Sequence, residues 1–264
     1  MKWRPYSKAM TRADIDQTIS DFAQAAGISK HYGFDAVEIH MGHGYLLSQF
    51  LSPAINKRHD EYGGSLENRM RMLLEIVQSI RAKVGEEFPI LCKINLEDDF
   101  QNGFTLSECI KAVQMLEIHG VDAVMLSGGF TSRTPFYLMR GEVPLKEMVE
   151  SESNYMQKFA LRFFGRSIIK KYDFSENFFF EQAMQIRKST KMNLIYVGGI
   201  ISAQGVKEVM DAGFDMIAMG RALIAEPDFV KKIQNNNEHR SRCDQCNICV
   251  GYIEKTGIRC ILDD

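Results

Sequence analysis

Short apolar runs ending in polar residues or glycine recur along the chain, at Phe34–His40, Pro89–Asn95, Val121–Ser127, Asn193–Gly199 and Phe214–Gly220. Each is rich in Val, Ile, Leu or Met, as in a parallel strand buried on both faces. Between them the apolar period lengthens to that of a helix. In 66–84, Leu66, Met70, Leu73, Leu74, Val77 and Ile80 fall on one helical face. Strand followed by helix, repeatedly, predicts βα units on a parallel sheet. Thr11 with Asp14 and Thr105 with Glu108 have capping-box spacing, and Gly85 and Gly120 are helix stops. A long helical stretch, Thr11–His31, leads straight into the first strand. The gap between the third and fourth strands holds an aromatic-rich, partly helical insertion at about 135–172, of the kind that sits above the catalytic face of a barrel.

Composition narrows the function classes. With 264 residues, 45% of them apolar, the chain suffices for one large α/β domain or two small ones. Lys plus Arg number 32 against 34 Asp plus Glu, so the overall balance gives no basic field for nucleic acid or an anionic membrane, and a small-molecule partner is expected. The opening Met1-Lys2-Trp3-Arg4-Pro5 lacks a signal-peptide layout and no apolar run reaches ~18 residues, so a cytoplasmic protein is expected. Of six cysteines, four crowd between Cys243 and Cys260, which points to reduced thiols or a metal site rather than a disulfide framework.

In parallel α/β folds, reactive groups gather at the carboxyl ends of strands. The first such end places His40, His43 and Tyr45 within six residues. Two neutral imidazoles there can grip a carbonyl oxygen and a phenol can give a proton. The same residues also suit satisfied polar groups at a strand end or, with Glu38, a metal site. The second end carries Lys93 out of an apolar strand. It suits either the anionic edge of a reduced flavin or an ion pair with Glu38 or Asp98. The last two ends, Gly198-Gly199-Ile200 and Gly220-Arg221-Ala222, are each followed by a helical segment. Glycines allow close backbone approach and Arg221 adds a charged fork, so a phosphate site is favoured over plain tight turns.

Val37-Glu38-Ile39-His40, His43-Gly44-Tyr45-Leu46-Leu47-Ser48-Gln49-Phe50-Leu51-Ser52-Pro53, Asn56-Lys57-Arg58, Asp60–Arg69 and Met219–Asp228 closely resemble the Old Yellow Enzyme family. The resemblance covers nearly the whole chain outside the insertion. It implies an FMN-linked (β/α)8 TIM barrel, here a partial barrel of about the last five βα units over residues 1–242, followed by a cysteine-containing tail over 243–264. It implies NAD(P)H as reductant and an α,β-unsaturated carbonyl compound, an enone or enoyl substrate, as acceptor. His40 and His43 match the carbonyl-binding pair and Tyr45 the proton donor. Lys93 matches a basic residue beside flavin N1, and Gly198, Gly199, Gly220 and Arg221 the phosphate site. Family members carry three further strands ahead of the one ending at His40. The expectation is therefore a fragment, a barrel completed by a separate chain, or a degenerate product, with weak or no FMN binding by this chain alone.

Cys243, Cys246, Cys249 and Cys260 have spacings suited to a [4Fe–4S] cluster or zinc. They resemble the cluster motif of the 2,4-dienoyl-CoA reductase and trimethylamine dehydrogenase branch, though similar tails occur in shorter relatives. Three readings stand: an ene-reductase, an iron–sulfur flavoenzyme of the dienoyl-CoA type, and a non-catalytic barrel fragment.

Overall fold

A computed structural model describes residues 8–253, 255 and 257–263. In chain order the elements are α1 (Arg12–His31), β1 (Val37–Met41), α2 (Leu46–Leu51), α3 (Leu66–Val84), β2 (Ile90–Asn95), α4 (Leu106–Ile118) and β3 (Ala123–Ser127). There follow α5 (Leu145–Ser151), α6 (Tyr155–Ile168), α7 (Phe180–Arg187), β4 (Asn193–Val197), α8 (Ala203–Asp211), β5 (Met216–Ala218), α9 (Arg221–Ala225), α10 (Phe229–Asn235) and α11 (Ile248–Gly251). The strands form one sheet in the order β1-β2-β3-β4-β5. β1 pairs in parallel with β2 and β2 with β3, so that His40 lies opposite Lys93 and Asn95 opposite Ser127. This is the alternating, sequential order of a partial barrel.

Two compact units divide the chain: Met1–Arg133 with Gln185–Ile195, and Thr134–Met184 with Tyr196–Asp264. In the first, Ile39, Met41, Cys92, Ile94, Val124 and Leu126 are buried, while Glu38, His40, Leu91, Lys93 and Met125 on the alternate face are less enclosed. α3 packs on α1, α2 and α4, burying Met70, Met72, Leu73, Ile76 and Val77 completely.

Both predicted capping boxes form, at Thr11 with Asp14 and Thr105 with Glu108, and Gly85 ends α3 at φ 81°. The strands are shorter than the apolar runs that announce them. Phe34 is 66% exposed and its N–H serves a turn to the Ser29 carbonyl, so β1 starts only at Val37. Phe214 is buried but lies outside the ladder of β5. The insertion contains α5 and α6. No helix among the described residues is long and apolar enough to cross a membrane.

Candidate active site

In the first unit the chain turns sharply after β1. Gly42 leaves room for the Asn95 amide, His43 takes a left-handed conformation (φ 61°), and Gly44 follows at φ 81° against the Phe130 ring, where a Cβ would collide. His43 is clamped on both sides. Its N–H donates to Asn95 Oδ1 at 3.0 Å, and its carbonyl accepts from the Thr131 N–H (3.0 Å) and Oγ1 (2.8 Å). Tyr45 then caps the start of α2.

This turn brings three sequence-predicted residues together. The His40 and His43 ring centres lie 4.9 Å apart and those of His40 and Tyr45 5.2 Å apart. The His40 Nδ1 is buried with no hydrogen-bond partner among the described residues, whereas His43 Nε2 sits 2.7 Å from the Ser127 hydroxyl. Burial, helped by the charges of His40 and Lys93, pushes the His43 imidazole down to about 4. Burial and then Lys93 also lower His40, against the opposing pull of Glu38. Both rings are therefore neutral at pH 7, and a neutral ring can present one N–H donor. The Tyr45 ring is 56% exposed, open to an incoming ligand.

Lys93 Nζ lies 3.1 Å from Glu38 Oε1, so the ion pair anticipated from sequence forms, directly beside His40. Below the histidines, Asn95 is 1% exposed and donates from Nδ2 to Asp98 Oδ1 (2.9 Å) and the Gly129 carbonyl (2.7 Å). Burial raises the Asp98 carboxyl despite its hydrogen bonds. Asn95 and Ser127 are site residues that local sequence did not single out. Their one signal is a buried polar group closing an apolar strand.

The family-like stretch from Asn56 to Arg69 turns out to be a scaffold. Asn56 Nδ2 donates to the carbonyls of Phe50 (2.8 Å) and Tyr62 (2.7 Å), and Asn68 Nδ2 to Gly63 (3.0 Å). The buried Arg69 guanidinium joins the Leu51 and Gly64 carbonyls to Glu108. These bonds fix the end of α2, and with it the Tyr45 turn.

In the second unit a cavity of about 240 Å³ is lined by Phe174, Gly199, Ile200, Gly220, Arg221 and Cys243 among others. Gly199 stands at φ 80° against the Phe174 and Phe178 rings, where a side chain would not fit. Among the described residues the backbone N–H groups of Gly199, Ile200, Gly220 and Arg221 have no acceptor. Arg221 donates to the Arg140 carbonyl (2.8 Å) and Asn247 Oδ1 (2.6 Å) but meets no carboxylate there, and burial lowers its pKa. Unpaired N–H groups around an uncompensated guanidinium fit a bound phosphate. The start of α8 does not take part. Its Ile201 and Ser202 N–H groups already donate to Glu176 Oε1, at 2.8 and 2.7 Å.

Cys243, Cys246, Cys249 and Cys260 all line one small cavity of about 20 Å³ beside Arg221. Even so, no three His, Cys, Asp or Glu side chains among the described residues gather closely enough to hold a metal ion. Burial raises the Cys246 thiol to about 11 and also raises Cys249. Asn247, 1% exposed and left-handed (φ 60°), fastens this tail by donating to the Met139 (2.7 Å) and Glu142 (2.8 Å) carbonyls. Like Asn95 and Ser127, it is a residue that local sequence did not reveal.

The chain belongs to the NADH:flavin oxidoreductase / NADH oxidase family, whose profile it matches over residues 2–130 and 145–240. It is 38% identical over 258 residues to a 4,4'-dithiodibutanoate disulfide reductase of Rhodococcus erythropolis, covering 97% of this chain and 64% of that protein. It is 30% identical over 261 residues to an NADH oxidase of Thermoanaerobacter brockii, covering 97% and 35%. Among solved structures, a 2-naphthoyl-CoA reductase in complex with 2-naphthoyl-CoA superposes with a TM-score of 0.77 at 25% identity, covering 96% of this chain and 34% of that one. An old yellow enzyme homologue of Zymomonas mobilis shares the fold, with a TM-score of 0.62 at 22% identity and 92% and 59% covered. The chain thus spans less than two thirds of each of these proteins.

Proposed function

We propose that this chain provides the substrate grip and the phosphate cradle of an FMN-dependent NAD(P)H oxidoreductase that reduces the C=C bond of α,β-unsaturated carbonyl compounds. The observation that carries the reading is the clustering of two neutral imidazoles with an exposed phenol after β1. Bound FMN would supply hydride to the β-carbon of the alkene, after its own reduction by NAD(P)H. His40 and His43 hold the carbonyl oxygen as neutral donors, drawing electron density from the double bond. Ser127, by engaging His43 Nε2, leaves Nδ1 as the nitrogen free to face a ligand. The Tyr45 hydroxyl delivers the proton to the α-carbon. Lys93, held by Glu38, sets positive charge beside His40 and at the flavin edge. The four free N–H groups around Gly199, Gly220 and Arg221 take the FMN phosphate.

Titrating FMN into the purified chain tests this reading. With the remaining strands supplied, quenching of flavin fluorescence, bleaching by NAD(P)H and recovery on adding an enone are the expected results, and the chain alone should quench flavin weakly or not at all. A folded chain that leaves flavin free, alone and with the remaining strands supplied, would instead mark a non-catalytic fragment. A second reading, an iron–sulfur flavoenzyme of the dienoyl-CoA reductase type, rests on the four thiols lining one cavity, although they do not gather as a metal-holding group among the described residues. Iron and acid-labile sulfide in anaerobically purified protein would establish it, and zinc alone would point to a structural site.

A further inference from the structure

The insertion carries a surface that the flavin chemistry does not use. α6 projects Tyr155, Met156, Phe159 and Phe163 within roughly 100° of arc at the helical turn angle. They are 89%, 83%, 59% and 63% exposed, and the Phe159 and Phe163 rings lie 4.6 Å apart. α5 packs on α6, with Gly165 buried against Leu145, which anchors the helix along that line, while Phe164 and Ile168 are also 54% and 67% exposed. The aromatic arc lies off the anchored line. It is also a contiguous apolar patch, and such patches mark interaction sites.

Charge identifies the occupant. Residues 154–171 contain Lys158, Arg162, Arg166, Lys170 and Lys171 and no acidic residue, although the whole chain is nearly neutral. Lys158, Arg162 and Arg166 form a row along one edge of the aromatic arc. Among the described residues they and Lys146 have no acidic partner. A cavity of about 580 Å³ between α5 and α6 is lined by Lys146, Arg162 and Arg166 over Leu145, Val149 and Phe163. Its one carboxylate, Glu150, is engaged by the Tyr252 hydroxyl and Lys255. Pairing this face with a second copy would set the cation rows against each other. An anionic surface with an apolar layer beneath satisfies both features at once.

We propose that α6 docks on a bilayer containing anionic phospholipid, with Tyr155, Met156, Phe159 and Phe163 at the acyl boundary and Lys158, Arg162 and Arg166 on headgroup phosphates. With 14 residues, α6 lies on the surface rather than crossing it. The contact is peripheral and reversible, and it weakens with salt.

Co-sedimentation of the full chain with phosphatidylcholine vesicles, with and without about 30% phosphatidylserine, tests the proposal. The expected result is binding to the anionic vesicles, reduced roughly a hundredfold by charge removal in Lys158→Gln/Arg162→Gln/Arg166→Gln and abolished in Phe159→Ser/Phe163→Ser. Apart from the half-buried Lys158, the altered positions are exposed, and both variants should keep the wild-type circular dichroism and melting curve. Absence of wild-type binding to the anionic vesicles overturns the proposal, as does binding that both folded variants retain. Sedimentation velocity without lipid is the second arm. Self-association lost in Phe159→Ser/Phe163→Ser, together with no vesicle binding, would assign the face to a second copy instead.

Discussion

Replacing Asn95 tests whether the histidine turn is held from below. Its side chain, 1% exposed, makes three hydrogen bonds: it accepts from the His43 N–H at 3.0 Å and donates to Asp98 at 2.9 Å and to the Gly129 carbonyl at 2.7 Å. In Asn95→Ala the His43 N–H and the Gly129 carbonyl lose their partner in the interior, each at about 1–3 kcal/mol, so a total near 3–5 kcal/mol is expected. Asp98 retains its bond from the Phe104 N–H at 2.9 Å. Asn95→Asp keeps the acceptor for His43 but sets a second carboxylate against Asp98, whose pKa burial already raises. Sharing a proton raises the folded-state pKa of the pair, so the native state binds more protons than the unfolded one and stability falls as pH rises. Urea unfolding should show Asn95→Asp closest to wild type near pH 5 and furthest from it near pH 8. The reasoning is refuted if Asn95→Ala costs less than about 1 kcal/mol, or if Asn95→Asp tracks wild type at both pH values.

His43 should add an acid-sensitive component. Its folded pKa of about 4 lies below the ordinary 6.5, so its contribution of about 3 kcal/mol is complete above 6.5 and is lost as pH falls toward 4; urea midpoints of His43→Gln, which cannot titrate, should lack that slope. Arg69→Ala leaves the Leu51 and Gly64 carbonyls and the Oε1 of Glu108 without their partner, while Glu108 Oε2 keeps its bond from the Thr105 N–H, and should cost about 3–5 kcal/mol in chemical denaturation. Gly199→Ala forces a side chain at φ 80° into the Phe174 and Phe178 rings. Flavin fluorescence should show FMN affinity falling at least about tenfold, for a strain of roughly 1–2 kcal/mol.

What could be read in the sequence was what is local in the chain. α3 and the capping boxes at Thr11 and Thr105 rest on neighbours three or four residues apart, and the structure places them where the pattern does. His40, His43 and Tyr45 were likewise visible because one turn holds all three. Asn95 and Ser127 reach His43 across 52 and 84 residues, and Asn247 reaches Met139 across 108. No periodicity encodes such a partner, and a lone buried Asn or Ser looks like any strand end. The family-like stretch Asn56–Arg69 was legible as a motif, but that its side chains brace α2 emerges only from the structure. Whole-chain charge likewise averaged away the basic, aromatic edge of α6, which emerges only when residues are placed around a helix.

Single-turnover reoxidation tests the central claim most directly. The FMN-loaded protein, reduced anaerobically with NAD(P)H, is mixed with 2-cyclohexenone, and wild type is compared with Tyr45→Phe. If Tyr45 supplies the proton to an alkene whose carbonyl His40 and His43 hold, enone-dependent reoxidation should slow by about 10²–10⁴-fold in the variant, while NAD(P)H-driven bleaching proceeds as in wild type. Equal reoxidation rates in the two proteins would contradict the account.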